Sequence, residues 1–520
     1  GTHTLVLSNT NTYSGGTTIN SGATLNVTGS IEGPATVNGT FDVNNSFTIG
    51  DLNGGTSGAI ILGSGDTLSV AGNSLDTFAG TVSGMGGLTI SGDSNLILSG
   101  TLTYTGKTTI DADNTLTLSG TGDNIGAVVD NGTLNIDPNV SITDLNGSGI
   151  LDFFTSDILT VNTTMADTFS GEISGSGGFG VTVDGTDGGS LALTGNLSDY
   201  SGTFTLTMQH NGMLDISGAE GTADYDEVNA GYPNDYWVNF IQMDIVFGAG
   251  GGTLTVGAGR APGGTLGTNL GEELSGSISL TGSGITGTIK SNSGSGYSTL
   301  ISGPINNTNA GNTLLLQNSA GSTGTFIFGN DSNATDFTAG TLRLGLHGSA
   351  PTELVFNAQN QNYYGNAGYL PGPNVTIVLD GGWLSSDGSF GFTVTNNIKL
   401  TDHQGGIISG GYGEGGYFDP VDYSGTISGL YGSGGKLTLQ NDGNGYYENV
   451  ELSGNNTFSD GTTIGVTGGY IEGMAGSNTA FGTGELVLGT QGSLGTINDI
   501  DGDVGGTPIH IMVSGFDSSA

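Results

Sequence analysis

One phrase, stated three times with a large apolar residue at every sixth position, constrains this chain more than any other feature. It runs Leu7-Ser-Asn-Thr-Asn-Thr-Tyr13-Ser-Gly-Gly-Thr-Thr-Ile19, and returns as Leu98-Ser-Gly-Thr-Leu-Thr-Tyr104-Thr-Gly-Lys-Thr-Thr-Ile110. A third copy is Leu452-Ser-Gly-Asn-Asn-Thr-Phe458-Ser-Asp-Gly-Thr-Thr-Ile464. In the first two copies the beat continues to Leu25 and Leu116. Six is even, so on extended backbone the apolar residues share one face while Gly, Ser, Thr and Asn fill the gaps. Short strands with inward aliphatics and polar turns at a fixed repeat predict a solenoid. The phrases recur in one direction and lack the paired two-residue turns of a meander, which favours parallel stacking. With about 20–25 residues per coil and ~4.8 Å between strands, the expected rod is roughly 100 Å long.

The repeat has a higher order. Asp76-Thr-Phe-Ala-Gly-Thr-Val-Ser-Gly recurs as Asp167-Thr-Phe-Ser-Gly-Glu-Ile-Ser-Gly, 91 residues on, the same offset that separates Tyr13 from Tyr104. The expectation is that a unit of several coils was duplicated. A further echo, Leu193 to Phe204, arrives late, and Asp184-Gly-Thr-Asp-Gly-Gly189 looks like the inserted turn responsible. Residues 1–207 therefore read as regular β-helix. Residues 208–262 read as an irregular insertion whose apolar run, Val238 to Phe247, returns to the core. Residues 263–520 read as a continued, less regular helix with Tyr-rich loops at Asn362-Tyr-Tyr364, Gly410 to Phe418 and Gly445-Tyr-Tyr447. No ten-residue stretch carries a helical period free of Gly.

Composition narrows the function classes. Hydrophobic residues are only 34%, which suffices if the core is a thin column fed by two or three side chains per strand. The net charge of −41 arises because 47 acidic residues face only 6 Lys plus Arg. Without a basic cluster to neutralise phosphates, nucleic acid is excluded as a partner, and anionic membrane surfaces are disfavoured. Cysteine is absent, which removes disulfides, thiolate metal sites and Cys nucleophiles together. No apolar run is long enough for a membrane span. The chain starts at Gly1, and reads as a processed segment or as one given without its ends.

The phrase Asn11-Thr-Tyr-Ser-Gly-Gly-Thr-Thr-Ile19, followed by Gly22-Ala-Thr-Leu25, resembles the passenger-associated β-strand repeat of bacterial autotransporters. The match is close over 9–27, good over 98–118 and 452–466, and partial over 193–204. The resemblance implies an all-β fold, a right-handed parallel β-helix with loop insertions. It also implies export beyond the outer membrane and a role in adhesion or surface architecture. The resemblance would add a C-terminal β-barrel region, which residues 1–520 do not include.

Catalytic signatures are absent: there is no G-x-S-x-G elbow and no H-E-x-x-H, and Gly106-Lys-Thr108 lacks the first Gly of a phosphate loop. The five His residues are far apart in sequence, so a His-based site is not expected and no catalytic residue is assigned. Asp226 and Glu227 lie near Tyr232, Tyr236 and Trp237, a mixture of carboxylates and aromatic faces that suits glycan contact. A solvated loop with a hydrophobic anchor is the plainer reading of the same residues. Asp499, Asp501 and Asp503 alternate as the opening of a Ca²⁺ loop does, although Val504 and His510 break the full pattern.

A solenoid leaves unpaired backbone groups at its ends. Leu5 and Leu7 at one end, and Ile509, Ile511 and Val513 at the other, lie in strand-like segments without capping helices. Either the chain is part of a longer rod, or its ends pair head to tail with further copies. The expected function is a structural or adhesive protein, extracellular or on the cell surface, whose partners are itself or surface glycans. A carbohydrate-active enzyme on the same scaffold is the alternative.

Overall fold

A computed structural model of the chain describes all residues except 1–2, 121–122, 138, 155–156, 198–199, 219–221, 225–235, 241–242, 258–269, 293–297, 323, 329–336, 347–349, 357–370, 387–392, 403–404, 410, 413–420, 431–433, 442–447, 466–470, 478, 490–491, 496–510 and 514–520. The described residues are all-β: strands run in parallel ladders with a single 3-10 turn, Gly185–Asp187, and one short antiparallel pair. The architecture is a parallel β-helix. Among the described residues, no helix is long and apolar enough to cross a membrane. The chain divides into two compact units, one built on residues 1–222 and the other mainly on 223–520.

In the first unit each coil passes three sides. The first side stacks Thr4–Leu7, Thr24–Val27, Thr40–Val43, Ala59–Leu62 and Thr81–Gly84. The second stacks Phe47–Ile49, Thr67–Val70, Gly87–Ile90, Thr108–Ile110 and Val128–Asp130, and the third runs from Leu75–Phe78 through Asn95–Leu98 to Glu172–Gly175. Coil length is read from the register: Thr24 pairs with Thr40, 16 residues on, and Gly178 with Thr203, 25 residues on. The coils are thus more variable than a fixed period predicts, because turns absorb insertions while strands keep register.

Alternation decides what is buried. Leu25, Phe41, Ile60, Val82 and Leu102 succeed one another up one inward ladder, each at most 4% exposed. Fully burying such a side chain contributes about 1.5–3 kcal/mol, so a narrow column is stabilised rung by rung. Aromatic rings thicken it at Phe153, Phe179, Tyr200 and Phe204, whose centroids lie 4.8 to 5.7 Å apart.

The second unit repeats this plan with longer coils, from 21 residues between Ile377 and Ile398 to 35 between Gly340 and Val375. One side carries Gly252–Val256, Thr286–Ser291, Thr313–Asn318, Gly340–Leu344, Val375–Leu379, Ile398–Leu400 and Ile427–Gly429. The next carries Glu353–Phe356, Trp383–Ser386, Gly406–Ile408, Leu437–Leu439 and Thr462–Ile464. The third carries Thr393–Val394, Val421–Tyr423, Glu448–Leu452 and Ile471–Ala475. Within the stretch expected to be an excursion, Tyr236–Phe240 and Gly252–Val256 are rungs, paired with Leu270–Leu274 and Thr286–Ser291.

The sequence repeat counts sides rather than coils. Leu7 ends a strand of the first side, whereas its copy Leu98 ends a strand of the third, 14 strands later in chain order. Fourteen is not a multiple of three, so the duplicated 91-residue unit is not a whole number of coils. The three sides are nearly equivalent environments, and the phrase suits each of them. Glycine makes the corners possible. A Cβ on Gly80 would stand 2.2 Å from the carbonyl oxygen of Gly58, and one on Gly100 would stand 1.8 Å from that of Gly80. Only a residue without a side chain allows corners to stack so closely. Tyrosine serves the same phrase: the hydroxyls of Tyr104 and Thr108 meet at 2.6 Å inside the core, and those of Tyr13 and Thr17 at 2.9 Å. Tyr104 is fully buried while Tyr13, in the first coil, is 41% exposed.

Candidate functional site

The most chemically equipped turn of the first unit is the one the late repeat pointed to. Asp184 ends the strand Gly178–Asp184 and caps the Gly185–Asp187 turn, its Oδ1 accepting from the Thr186 backbone N–H at 2.9 Å and from Thr186 Oγ1 at 2.6 Å. The longer coil brings the next strand end directly above it, since Asp184 pairs with Gln209. Gln209 Nε2 donates to Asp184 Oδ2 at 3.1 Å, and His210 Nδ1 lies 3.1 Å from both carboxylate oxygens. The Thr186 side-chain and backbone donors, with the imidazole adding less, lower the Asp184 carboxyl to about 2. Nδ1 of this exposed His210 is engaged by the Asp184 carboxylate. His210 and Asn211 both adopt left-handed backbone, φ 51° and 64°. Sequence reading set the histidines aside because they are scattered. The signal that was missed is the coil length, which places residue 210 one coil beyond residue 184.

The duplicated Asp-Thr-Phe phrase builds a second kind of polar cluster, and it is internal. Asn53 reaches up one coil, donating to Asp76 Oδ1 at 2.8 Å while its own Oδ1 accepts from the Thr77 N–H at 3.2 Å. Asn146 does the same for Asp167 and Thr168, at 2.5 and 2.9 Å. Burial raises the Asp167 carboxyl above the ordinary range; hydrogen bonds from Thr163 and Asn146 oppose this, and the nearby Asp144 adds to it. Asp130 is more isolated. It occupies an inward position, fully buried, with Oδ1 accepting from the Gly132 N–H at 3.0 Å and Oδ2 without a partner. Burial pushes it up to about 7, with the Gly132 bond partly opposing.

In the second unit Arg343 pairs with the buried Asp380, whose other oxygen accepts from Thr401 Oγ1 at 2.8 Å. Asp422 and Glu451 are direct neighbours across adjacent strands, and Ser453 Oγ donates to Asp422. Burial, and then the Asp422 charge, raise Glu451. The Tyr423 phenol is buried and donates to the Ser409 carbonyl at 3.1 Å.

The residues singled out from sequence are spread over the chain. Leu5 and Leu7 lie in Thr4–Leu7, paired with Thr24–Val27, and Leu5 is 58% exposed. Tyr236 and Trp237 lie on the strand paired with Leu270–Leu274, and Ile511 and Val513 on one paired with Leu486–Leu488. Asp226, Glu227, Tyr232, Asp499, Asp501, Asp503 and Ile509 lie outside the described residues. Among the described residues, no group of three or more His, Asp or Glu stands close enough to hold a metal ion. The polar clusters mostly bond one coil to the next. No protein-family model, curated protein or solved structure matches the chain.

Proposed function

We propose that this chain is a structural or adhesive β-helix that acts outside the cell or at its surface, holding loops on stacked coils for contact with surface glycans or with further copies. The observation that carries this reading is the placement of the Tyr-rich connections in the second unit. Those that contain Tyr363-Tyr364 and Tyr446-Tyr447 follow Glu353–Phe356 and Leu437–Leu439, rungs of one sheet, and the one that contains Tyr417 follows Gly411–Tyr412, which pairs with Glu448–Leu452. Two of the three connections therefore follow rungs of the same side, three coils apart. Tyrosine brings large contact area at low conformational-entropy cost. The resemblance of Asn11 to Ile19 to passenger repeats supports an exported protein, and the absence of Cys is compatible with it.

The test is binding of the purified chain to glycan arrays and to cells, with Tyr446→Ala/Tyr447→Ala beside it. The expected result is binding that the double variant weakens while its circular dichroism stays unchanged. A chain that binds neither glycans, cells nor itself overturns the reading. Glu451, raised by burial and by the charge of its neighbour Asp422, favours a second reading, a carbohydrate-active enzyme, because a carboxyl that holds its proton more tightly suits general-acid work. Release of reducing ends from a polysaccharide, lost in Glu451→Gln, would select it.

A further inference from the structure

We propose that Asn211–Gly212 is a self-modification site, at which the folded chain loses ammonia faster than at any other described Asn–Gly pair. In the step, the Gly212 backbone nitrogen attacks Asn211 Cγ. The Cγ–Nδ2 bond breaks, and the amide nitrogen leaves as ammonia with the proton lost by Gly212, closing a five-membered imide. Water then opens the ring at either carbonyl, giving aspartate or its backbone-lengthened isomer. Water is the only co-reactant.

Asn–Gly pairs occur at 38–39, 53–54, 131–132, 146–147, 211–212 and 444–445, of which the last lies outside the described residues. Four of the other five are restrained at the atoms that must move. Both ends of the Asn53 and Asn146 amides are bonded to the next coil. The Gly132 nitrogen, which would be the attacking atom, donates to Asp130 Oδ1 at 3.0 Å, and Asn38 Oδ1 accepts from the Gly55 N–H at 3.0 Å. Asn211 is exposed and its side-chain amide donates no hydrogen bond among the described residues, while Gly212 beside it is buried. Ring closure requires rotation about the bond from Asn211 Cα to its carbonyl. Strand residues surrender ladder bonds to rotate, whereas Asn211 starts from a left-handed conformation that L residues occupy under strain.

The consequence is local. The turn joins Thr203–Gln209 to Gly212–Asp215, and its tether to the previous coil is Asp184, held to Gln209 and His210. Modification places a new carboxylate on the turn beside Asp184, and the isomer inserts a methylene into a connection two residues long. Both loosen the handover between these strands as the protein ages.

The experiment is incubation of the whole chain in mildly alkaline buffer, with amide loss followed by peptide mass spectrometry. Loss at Asn211 is expected to be about tenfold faster than at Asn38, Asn53, Asn131 and Asn146, the ratio that one retained hydrogen bond produces. In denaturant the five rates are expected to converge. Asp184→Ala, which removes the tether without creating a further Asn–Gly pair, is expected to accelerate loss at Asn211 and leave the other four rates unchanged. Equal rates in the folded chain, or a faster site among the other four, overturn the proposal.

Discussion

Replacing Asp130 by valine is expected to stabilise the first unit at neutral and alkaline pH while slightly weakening it in acid. The carboxyl rises from 3.8 to about 7 on folding. Below the lower value it is protonated in both states and the pH term vanishes. As pH rises from there the unfolded chain ionises while the folded chain holds its proton, so stability falls until the folded group ionises near neutrality, and is level above that. The span of roughly 3 units corresponds to about 4 kcal/mol. Valine extends the ladder of Ile49, Val70, Ile90 and Ile110, and leaves the Gly132 N–H without its acceptor at a cost of about 1 kcal/mol. The net expectation is a gain of about 3 kcal/mol near pH 8 and a loss of about 1 near pH 3. Solenoid coils open by neighbourhoods, so the assay is amide hydrogen exchange of the rungs Val128–Asp130 and Leu145–Gly147, supported by urea midpoints. A difference between Asp130→Val and the parent chain that is the same at both pH values would refute the reasoning.

Two further outcomes follow from the repeat. Tyr104→Phe strands the buried Thr108 hydroxyl and is expected to lower stability by about 1–3 kcal/mol, whereas Tyr13→Phe, on an exposed copy of the same pair, shifts it by less than about 0.5 kcal/mol in parallel thermal melts. Gly171→Ala, in the middle of the stack Gly149, Gly171 and Gly195, puts a Cβ 1.9 Å from the Gly149 carbonyl oxygen and is expected to raise exchange in coils on both sides. Unchanged exchange there would mean that the corner tolerates a wider rise.

The alternation in Leu25, Leu116, Ile19 and Ile110 was enough to specify inward ladders and a parallel solenoid, because a period-two pattern on short strands has few other ways to bury its apolar face. The six-residue beat was likewise legible, but its meaning was not. It marks one side of a coil, and only the ladders show that Leu7 and Leu98 stand on different sides. Local phrases report local environments, and three nearly equivalent sides look alike to them. The turn of Asp184 and His210 was hidden for a related reason. Contact across coils depends on the number of residues in each coil, which insertions vary from 16 to 25 in the first unit, so juxtaposition is set by cumulative length rather than by motif. Asp130 carried no signal at all: among so many acidic residues nothing in its neighbours distinguishes a buried carboxyl from a solvated one, until the strand register turns it inward against Ile110 and Gly147.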